Sequence, residues 1–396
     1  AAQIFEVQFA QVNDITWLVH PDHPVRRLVR LGDQNWQLQE IDWQFPPVLD
    51  ENITAVTMSC SGTSGTGLTL TASAATFTAD HVGSYWQIAH RRETAYTELP
   101  GPASGAFVTT ESPAVRILGR WELTTYGKWS GTLHLERKNA AGTWDVLRTW
   151  KATNDRNIIA SSEQDDEAEL RLRIVSGTGV AADGNNPRFI LEAADAKIYG
   201  LVKVTAFTDT THVKVDVIRS LWATTATVFW NEGAWSKVRG FPRAVALHEQ
   251  RLCFGGTAHK PQTVWGSTVG DFENFRRTSF DDGSFSYEIA SSRAQRIQWM
   301  VSKRGLIVGT DAGEWAMESS QTDSIVTPTN VRFRGQSENG SAYVQAVQVQ
   351  DAVVHLQRNG RKLRQMAYSS GSEAYGSTLL TVLAEHVTDS GVKQLA

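Results

Sequence analysis

Residues Trp230 to Phe275 read WNEGAWSKVRGFPRAVALHEQRLCFGGTAHKPQTVWGSTVGDFENF. Seven aromatic side chains, several glycines and two prolines lie here between short apolar runs. Val245–Leu247, Arg251–Phe254 and Thr263–Trp265 are each too short for a helix and are bounded by Gly, Pro or polar turn residues, so they read as strands. Arg251 to Ser267 is then a hairpin whose loop runs from Gly255 through Pro261.

The same hairpin recurs. Gly305–Gly309 and Glu314–Met317 flank the turn Thr310–Gly313, where Gly313 suits a left-handed position. Ala352–Leu356 and Lys362–Met366 are joined through Asn359-Gly360, a strong hairpin signal. From Cys253 to Ile307 to Val354 the offsets are roughly 50 residues, the period of a four-stranded propeller blade. A fourth copy stands at the N-terminus, where Ile15–Val19 and Arg27–Leu31 flank the turn His20–Pro24. It lies far more than one period away. The pattern predicts an all-β chain: a β-propeller interrupted by a large insertion.

At 396 residues, two to four domains are expected. A hydrophobic fraction of 41% supports globular packing, and the 14 Trp fall mostly beside strands, where wide rings suit a pleated surface. The net charge of −4 leaves no basic footprint for nucleic acid or anionic membrane. Cys60 and Cys253 are remote in sequence, which argues against a disulfide framework and fits a reducing site of synthesis. AAQIFEVQFA has no signal-peptide pattern, and no apolar run approaches membrane-spanning length. Both ends look shortened, and a missing piece would complete the propeller.

Four regions are expected. Residues 1–50 form the first propeller fragment, with strands continuing through Trp36–Leu38 and Ile41–Trp43 until Phe45-Pro-Pro47 ends the run. Residues 51–112 and 194–222 form a discontinuous small β-barrel, because Leu68–Thr71, Trp86–Ile88, Lys197–Thr205 and His212–Ile218 read as strands, the last two alternating with period two. Residues 113–193 form a nested β-sandwich from Gly131–Glu136, Trp144–Leu147 and Glu169–Ile174, with a turn at Asn139–Gly142. The acidic run Glu163–Glu169 reads as a solvated loop. Residues 223–396 form the main propeller part, cut short at its C-terminal end. Helix signals are nearly absent.

HPDHPVRRLVR (20–30), FTADHVGSYWQI (77–88), WNEGAWSKVRGFPRAVALHEQRLCFGGT (230–257), PQTVWGSTVGDFENF (261–275), VGTDAGEWAMES (308–319) and TPTNVRFRGQSENGS (327–341) together resemble the tail nozzle, or tail tubular protein B, of short-tailed bacteriophages. The resemblance covers most of the chain, in family order, and is denser in the propeller half. It implies a homo-oligomeric ring, sixfold, below the tail adaptor proteins and in reach of tail fibres. It further implies a virion protein assembled in the bacterial cytoplasm, a conduit for genome ejection, and no enzymatic activity or cofactor. A mild acidic balance is consistent with double-stranded DNA passing without tight binding, since each phosphate-neutralising Lys or Arg adds affinity.

Other stretches invite a sharper chemistry. His20, Asp22 and His23 are metal-ligand types, but Pro21 and Pro24 make a rigid turn the plainer reading, and no four-ligand spacing is visible. Asp271, Glu273, Asp281 and Asp282 supply the carboxylates that glycoside hydrolysis would need, though sequence neighbours on loops seldom hold the required separation. Asn139–Trp144 faintly resembles the Asp-box turn of sialidases without its Ser and Asp. Gly62–Gly67 lacks the Lys-Ser or Lys-Thr of a phosphate cradle. Cys253, between Leu252 and Phe254, reads as core. Arg26, Arg27 and Arg30 form one basic cluster, Arg276 and Arg277 a second, and Arg361, Lys362 and Arg364 a third. In a ring, Arg276, Arg277, Arg361 and Arg364 are candidate intersubunit contacts, since Arg is enriched at interfaces. The competing function is a glycan-binding or glycan-cleaving propeller of a phage tail, with Trp235 and Trp265 as stacking platforms.

Overall fold

The computed structural model describes residues 2–91, 95–102, 104–153, 157–180, 186–194, 197–277, 280–321, 325–371 and 374–395. The protein is all-β: the described residues hold strands, three short 3-10 turns and no α-helix, hence no helix long and apolar enough to cross a membrane. The chain divides into two compact units, one of residues 1–87, 201–220 and 228–396, the other of residues 88–200 and 221–227.

Sheet I opens the first unit, with β1 (Gln8–Val12), β2 (Ile15–His20), β3 (His23–Gly32) and β4 (Asn35–Glu40) paired antiparallel in chain order. The expected strand at Ile41–Trp43 does not form. Ile41 and Trp43 leave the ladder and sink into the core instead. β5 (Met58–Cys60), β6 (Leu68–Ala72) and β7 (Tyr85–Arg91) follow.

Next come β8 (Tyr96–Pro100), β9 (Ser104–Ala106), β10 (Val115–Tyr126), β11 (Trp129–Lys138), β12 (Trp144–Ala152), β13 (Ile159–Val180) and β14 (Arg188–Ala193). These seven make one sheet of order β12-β11-β13-β10-β14-β8, with β9 on β13. The expected nested sandwich is thus built as one laddered sheet, and its boundary moves: β8 and β9 belong here, and the discontinuous barrel loses them. The long strand β13 explains the economy. Its first half pairs with β10 and its second half with β11, Leu170 facing both Val115 and Arg137. Side chains two apart, such as Leu133 and Leu135, Leu170 and Leu172, or Trp121 and Leu123, all enter one apolar cluster, so the sheet must curl around a single face. Gly131 permits the bend: at φ 146° it lies so close to Ser176 that a Cβ would sit 2.0 Å from that carbonyl oxygen.

Glu163–Glu169 is not a loop but lies within β13. Three of its carboxylates have a basic residue across the ladder: Glu163 faces Arg120, Glu167 pairs with Arg116, and Glu169 takes Lys138 Nζ at 2.6 Å. Cross-strand opposite charges make an acidic strand tolerable. No sequence-local signal reveals them.

β15 (Lys197–Phe207), β16 (His212–Arg219) and β17 (Trp230–Glu232) complete a sheet of order β17-β7-β15-β16-β6-β5. Strands far apart in sequence thus share one six-stranded sheet. β17 is an addition to the reading.

Three further four-stranded antiparallel sheets close the chain. Sheet II holds β18 (Ala244–His248), β19 (Arg251–Gly255), β20 (Thr263–Gly266) and β21 (Phe285–Glu288). Sheet III holds β22 (Ile297–Ser302), β23 (Leu306–Thr310), β24 (Glu314–Ser319) and β25 (Val331–Ser337), and sheet IV holds β26 (Val347–Val349), β27 (Ala352–Leu356), β28 (Leu363–Ser369) and β29 (Ala374–Leu379). All four hairpins read from the sequence are the second and third strands of these sheets. Gly360 takes φ 74° as its turn demands. Gly313 does not adopt a left-handed backbone. Its requirement is close approach, since a Cβ there would lie 2.5 Å from Ser337 O.

The second strands read as unbroken apolar runs because both faces are buried. Leu252 and Phe254 join Trp17 and Val19 of sheet I, whereas Cys253 between them joins Leu306 and Val308 of sheet III. Ile307 in turn points the other way, to Val353 and Met366 of sheet IV. Sheet IV meets sheet I through Gln345, whose Oε1 accepts from Phe9 N at 3.1 Å and whose Nε2 donates to Phe9 O at 2.8 Å. Gln8 Nε2 donates to Gln298 O of sheet III at 2.6 Å, and β18 lies beside both β1 and β22. The first strands of sheets I, II and III therefore lie together, and sheet I meets Gln345 just ahead of β26, a propeller-like arrangement in which the opening residues pack with the last third of the chain.

Candidate functional site

The arginines nominated as intersubunit contacts are engaged within the chain. Arg276 lies over Phe45, 5.1 Å from the ring centre. Arg277 reaches Val48 O at 3.3 Å and Asp50 at 3.7 Å, Arg361 reaches Asp389 at 3.4 Å, and Arg364 Nε donates to Gln357 Oε1 at 3.0 Å. Arg277 and Arg361 remain exposed, where such pairs contribute little, so both stay able to exchange partners. The N-terminal cluster is paired too, Arg26 with Glu40 and Arg30 with Asp14.

Most of the other nominated groups are likewise committed, while Asp281 and Asp282 are exposed and engage Arg251 through their backbone carbonyls rather than their carboxylates. His20 Nδ1 accepts from Asp22 N at 3.1 Å and its Nε2 lies 3.2 Å from Glu6, which is the geometry of a pinned turn. Glu273 receives Trp17 Nε1 at 3.1 Å and Arg27 Nη1 at 2.9 Å, Asp271 receives Asn274 Nδ2 at 3.0 Å, and the backbone carbonyls of Asp281 and Asp282 serve Arg251. The N–H of Gly67 is spent on Asp216 at 2.8 Å, so the Gly62–Gly67 loop is no free phosphate cradle. The Asn139–Gly142 turn is held by Asn139 Oδ1, which accepts from Ala141 N and Thr143 N. Trp235 and Trp265 are buried, their ring centres 5.9 Å apart, inside the cluster shared by sheets I and II. Cys253 is fully buried, and burial pushes its thiol up to about 12. Folded protein should accordingly leave Cys253 unalkylated by iodoacetamide at pH 8, with labelling appearing only in denaturant; rapid labelling without denaturant would refute its burial.

A polar cluster that the sequence did not announce lies between sheets III and IV. Ser341 Oγ donates to Glu314 Oε1 at 2.8 Å and lies 3.2 Å from His355 Nδ1, and Ser337 also donates to Glu314. These are hydrolase residue types, but the serine stands between the other two and the cluster is sealed from solvent, out of any substrate's reach. Its consequence is for stability. Burial pushes His355 down to about 4 and pushes the Glu314 carboxyl up. Unfolded His355 takes a proton near 6.5 while the folded residue resists until about 4, so stability falls as pH drops through that window. Glu314 works the other way. Its folded carboxyl is protonated at a pH where the unfolded one is still charged, so acidification through that range favours the fold. Glu314→Gln keeps the shape and removes the compensation. We expect its urea midpoint to fall more steeply than wild type's between pH 6.5 and 4. Parallel pH profiles would sink this account.

A second functional feature is a surface. Direct cross-strand partners share a face, and the pairs Phe9–Leu18, Thr16–Leu28, Leu28–Leu38 and Arg30–Trp36 put Phe9, Leu18, Leu28, Trp36 and Leu38 on one face of sheet I. The opposite face, with Ala10, Trp17 and Val19, packs on sheet II. On the outward face Phe9 is 49%, Trp36 49% and Leu38 63% exposed. An apolar row of this kind on one sheet is the form an interaction surface takes. The alternation of Asn35–Glu40 announces a two-faced strand. Which face stays uncovered depends on the neighbouring sheet. No protein-family model matches the chain, and no curated protein matches it.

Proposed function

We propose that this protein is a structural component of a virion, the tail nozzle of a short-tailed bacteriophage. Copies of the chain, six on the resemblance, close into a ring below the tail adaptor, and double-stranded DNA passes through the bore during ejection. The role requires no catalysis and no cofactor. It places the protein in the virion tail after assembly in the bacterial cytoplasm, with adaptor proteins and tail fibres as neighbours.

The observation that carries the reading is the uncovered apolar face of sheet I, with Phe9, Trp36 and Leu38 exposed on a laddered scaffold. A ring needs such a face on every copy, because a repeating contact must be built from the protein's own surface. Two features add support. Five of the six motifs that carry the family likeness fall in or beside sheets I, II and III, and the sixth, 77–88, runs into β7. The net charge of −4, with basic clusters already paired to carboxylates, suits a wall that does not hold DNA. The buried positions of Trp235 and Trp265 do not favour the glycan-stacking alternative.

Light scattering on purified protein at tens of micromolar, with negative-stain microscopy, tests the proposal. The expected result is ring-shaped particles at a multiple of 43.7 kDa. A persistent monomer that retains soluble glycan would overturn it.

A further inference from the structure

A groove of about 440 Å³ runs along the outer side of sheet II. Five consecutive residues, Ser284–Glu288, line it. Successive side chains of a strand point to opposite faces, so a lining of five in a row includes the main-chain edge of β21, and Thr263 and Trp265 of β20, the cross-strand partners of Glu288 and Ser286, extend the groove over the face those two share. That strand is the last of sheet II, and among the described residues none pairs with its outer side.

The register tells which backbone groups face the groove. Ile289 N donates to Gln262 O at 3.0 Å, and Thr263 faces Glu288, so Gln262 and Ile289 form a hydrogen-bonded pair. Antiparallel pairs alternate. Val264–Tyr287 and Gly266–Phe285 are then hydrogen-bonded pairs, and Trp265–Ser286 and Thr263–Glu288 are not. The N–H and C=O groups of Ser286 and Glu288 therefore point outward, into the groove.

The remaining walls are fixed. Val48–Asp50 stands opposite, pinned from behind by Leu49 N donating to Glu232 O at 2.8 Å and by the Val48–Gly233 bridge. Each end carries a cancelling ion pair, Arg277 with Asp50 at 3.7 Å and Lys260 with Glu288 at 3.6 Å. Thr263 Oγ1, in a residue 4% exposed that lines the groove, has no hydrogen-bond partner in the structure. Exposed edges are usually blunted by Lys, Pro or a covering element. β21, Phe-Ser-Tyr-Glu, carries neither Lys nor Pro.

We propose that this groove receives an extended strand of a partner polypeptide, which joins sheet II by main-chain hydrogen bonds to Ser286 and Glu288. Strand addition of this kind draws affinity from the backbone and specificity from alternate side chains. The balanced ion pairs favour an uncharged strand over a polyanion. Residues directly opposite Ser286 and Glu288 share their face and would be polar, with hydroxyl side chains suited to it. Those opposite Phe285 and Tyr287 would be apolar, against the rings.

The probe is a capped, fluorescein-labelled octapeptide of alternating Thr and Val with a solubilising tail, read by anisotropy against the full chain. Saturable binding is expected. N-methylation of the Thr amides, which face β21, should weaken it at least about tenfold, and N-methylation of the Val amides should spare it. Ser286→Pro should also lose at least about tenfold, since it removes an outward N–H that takes no part in the β20–β21 ladder, a place where an edge strand tolerates proline. Ser286→Ala should bind as wild type. Absence of saturable binding overturns the proposal. So does equal binding of both methylated peptides, or displacement of the probe by a neutral dextrin at equal concentration. The methylated pair decides on the unaltered protein if Ser286→Pro does not fold.

Discussion

Arg251→Ala should lower the thermal midpoint of the protein by roughly 5–10 °C, corresponding to about 3–5 kcal/mol, without changing the fold. Arg251 is 1% exposed. Its guanidinium is not matched by a carboxylate but by main-chain oxygens: Nη1 donates to Ser267 O at 2.6 Å and Asp282 O at 3.2 Å, and Nη2 donates to Asp281 O at 2.8 Å. Burial pushes its pKa down, yet a guanidinium keeps its proton. Alanine would leave a hole and strand these carbonyls, each costing about 1–3 kcal/mol where water cannot reach. Solvent at the exposed Asp281 and Asp282 positions will offset part of that. Arg251→Lys should recover less than half, because an ammonium cannot fork to oxygens on two segments. Calorimetry settles the point, and an unchanged midpoint for Arg251→Ala would remove Arg251 as the clamp of the 281–283 loop.

The second large effect is on assembly. Trp36→Glu should leave the protomer's stability within about 0.5 kcal/mol, since its side chain is half in solvent already. Its effect on a ring would be far larger. An aromatic anchor at an interface costs about 2 kcal/mol or more when lost, roughly thirtyfold in association, and a buried glutamate adds a desolvation penalty. Sedimentation velocity should show Trp36→Glu and Leu38→Glu as monomers under conditions where wild type is assembled. Gln37→Glu, on the same strand but the opposite face, is the control and should assemble normally. If all three behave alike, the outward face of sheet I is not the contact.

Much of the fold is legible in the residue order. Cys253, Ile307 and Val354 mark second strands because a strand buried on both sides is apolar throughout, a property written in consecutive residues. Asn359-Gly360 announced its turn because its backbone demands a positive φ at Gly360. What misled was chemistry whose partner lies far away in sequence. Glu163–Glu169 reads as solvated until Arg116 and Arg120 are laid beside it. Gly313 reads as a turn glycine until Ser337 O arrives at its Cα. The candidate site follows the same division. The basic clusters were visible, but their engagement by Asp50, Gln357 and Asp389 was not.

Local residue order alone determined the all-β class, the four hairpins and the interruption between the first and the rest, since alternation, turn residues and strand length are properties of neighbours along the chain. Only the tertiary structure decided which face of sheet I stays uncovered, which edge of sheet II stays open, and why Arg251, Glu314 and His355 are buried. Those depend on what packs across from them, and a chain folded into sheets brings its opposing surfaces together from hundreds of residues apart.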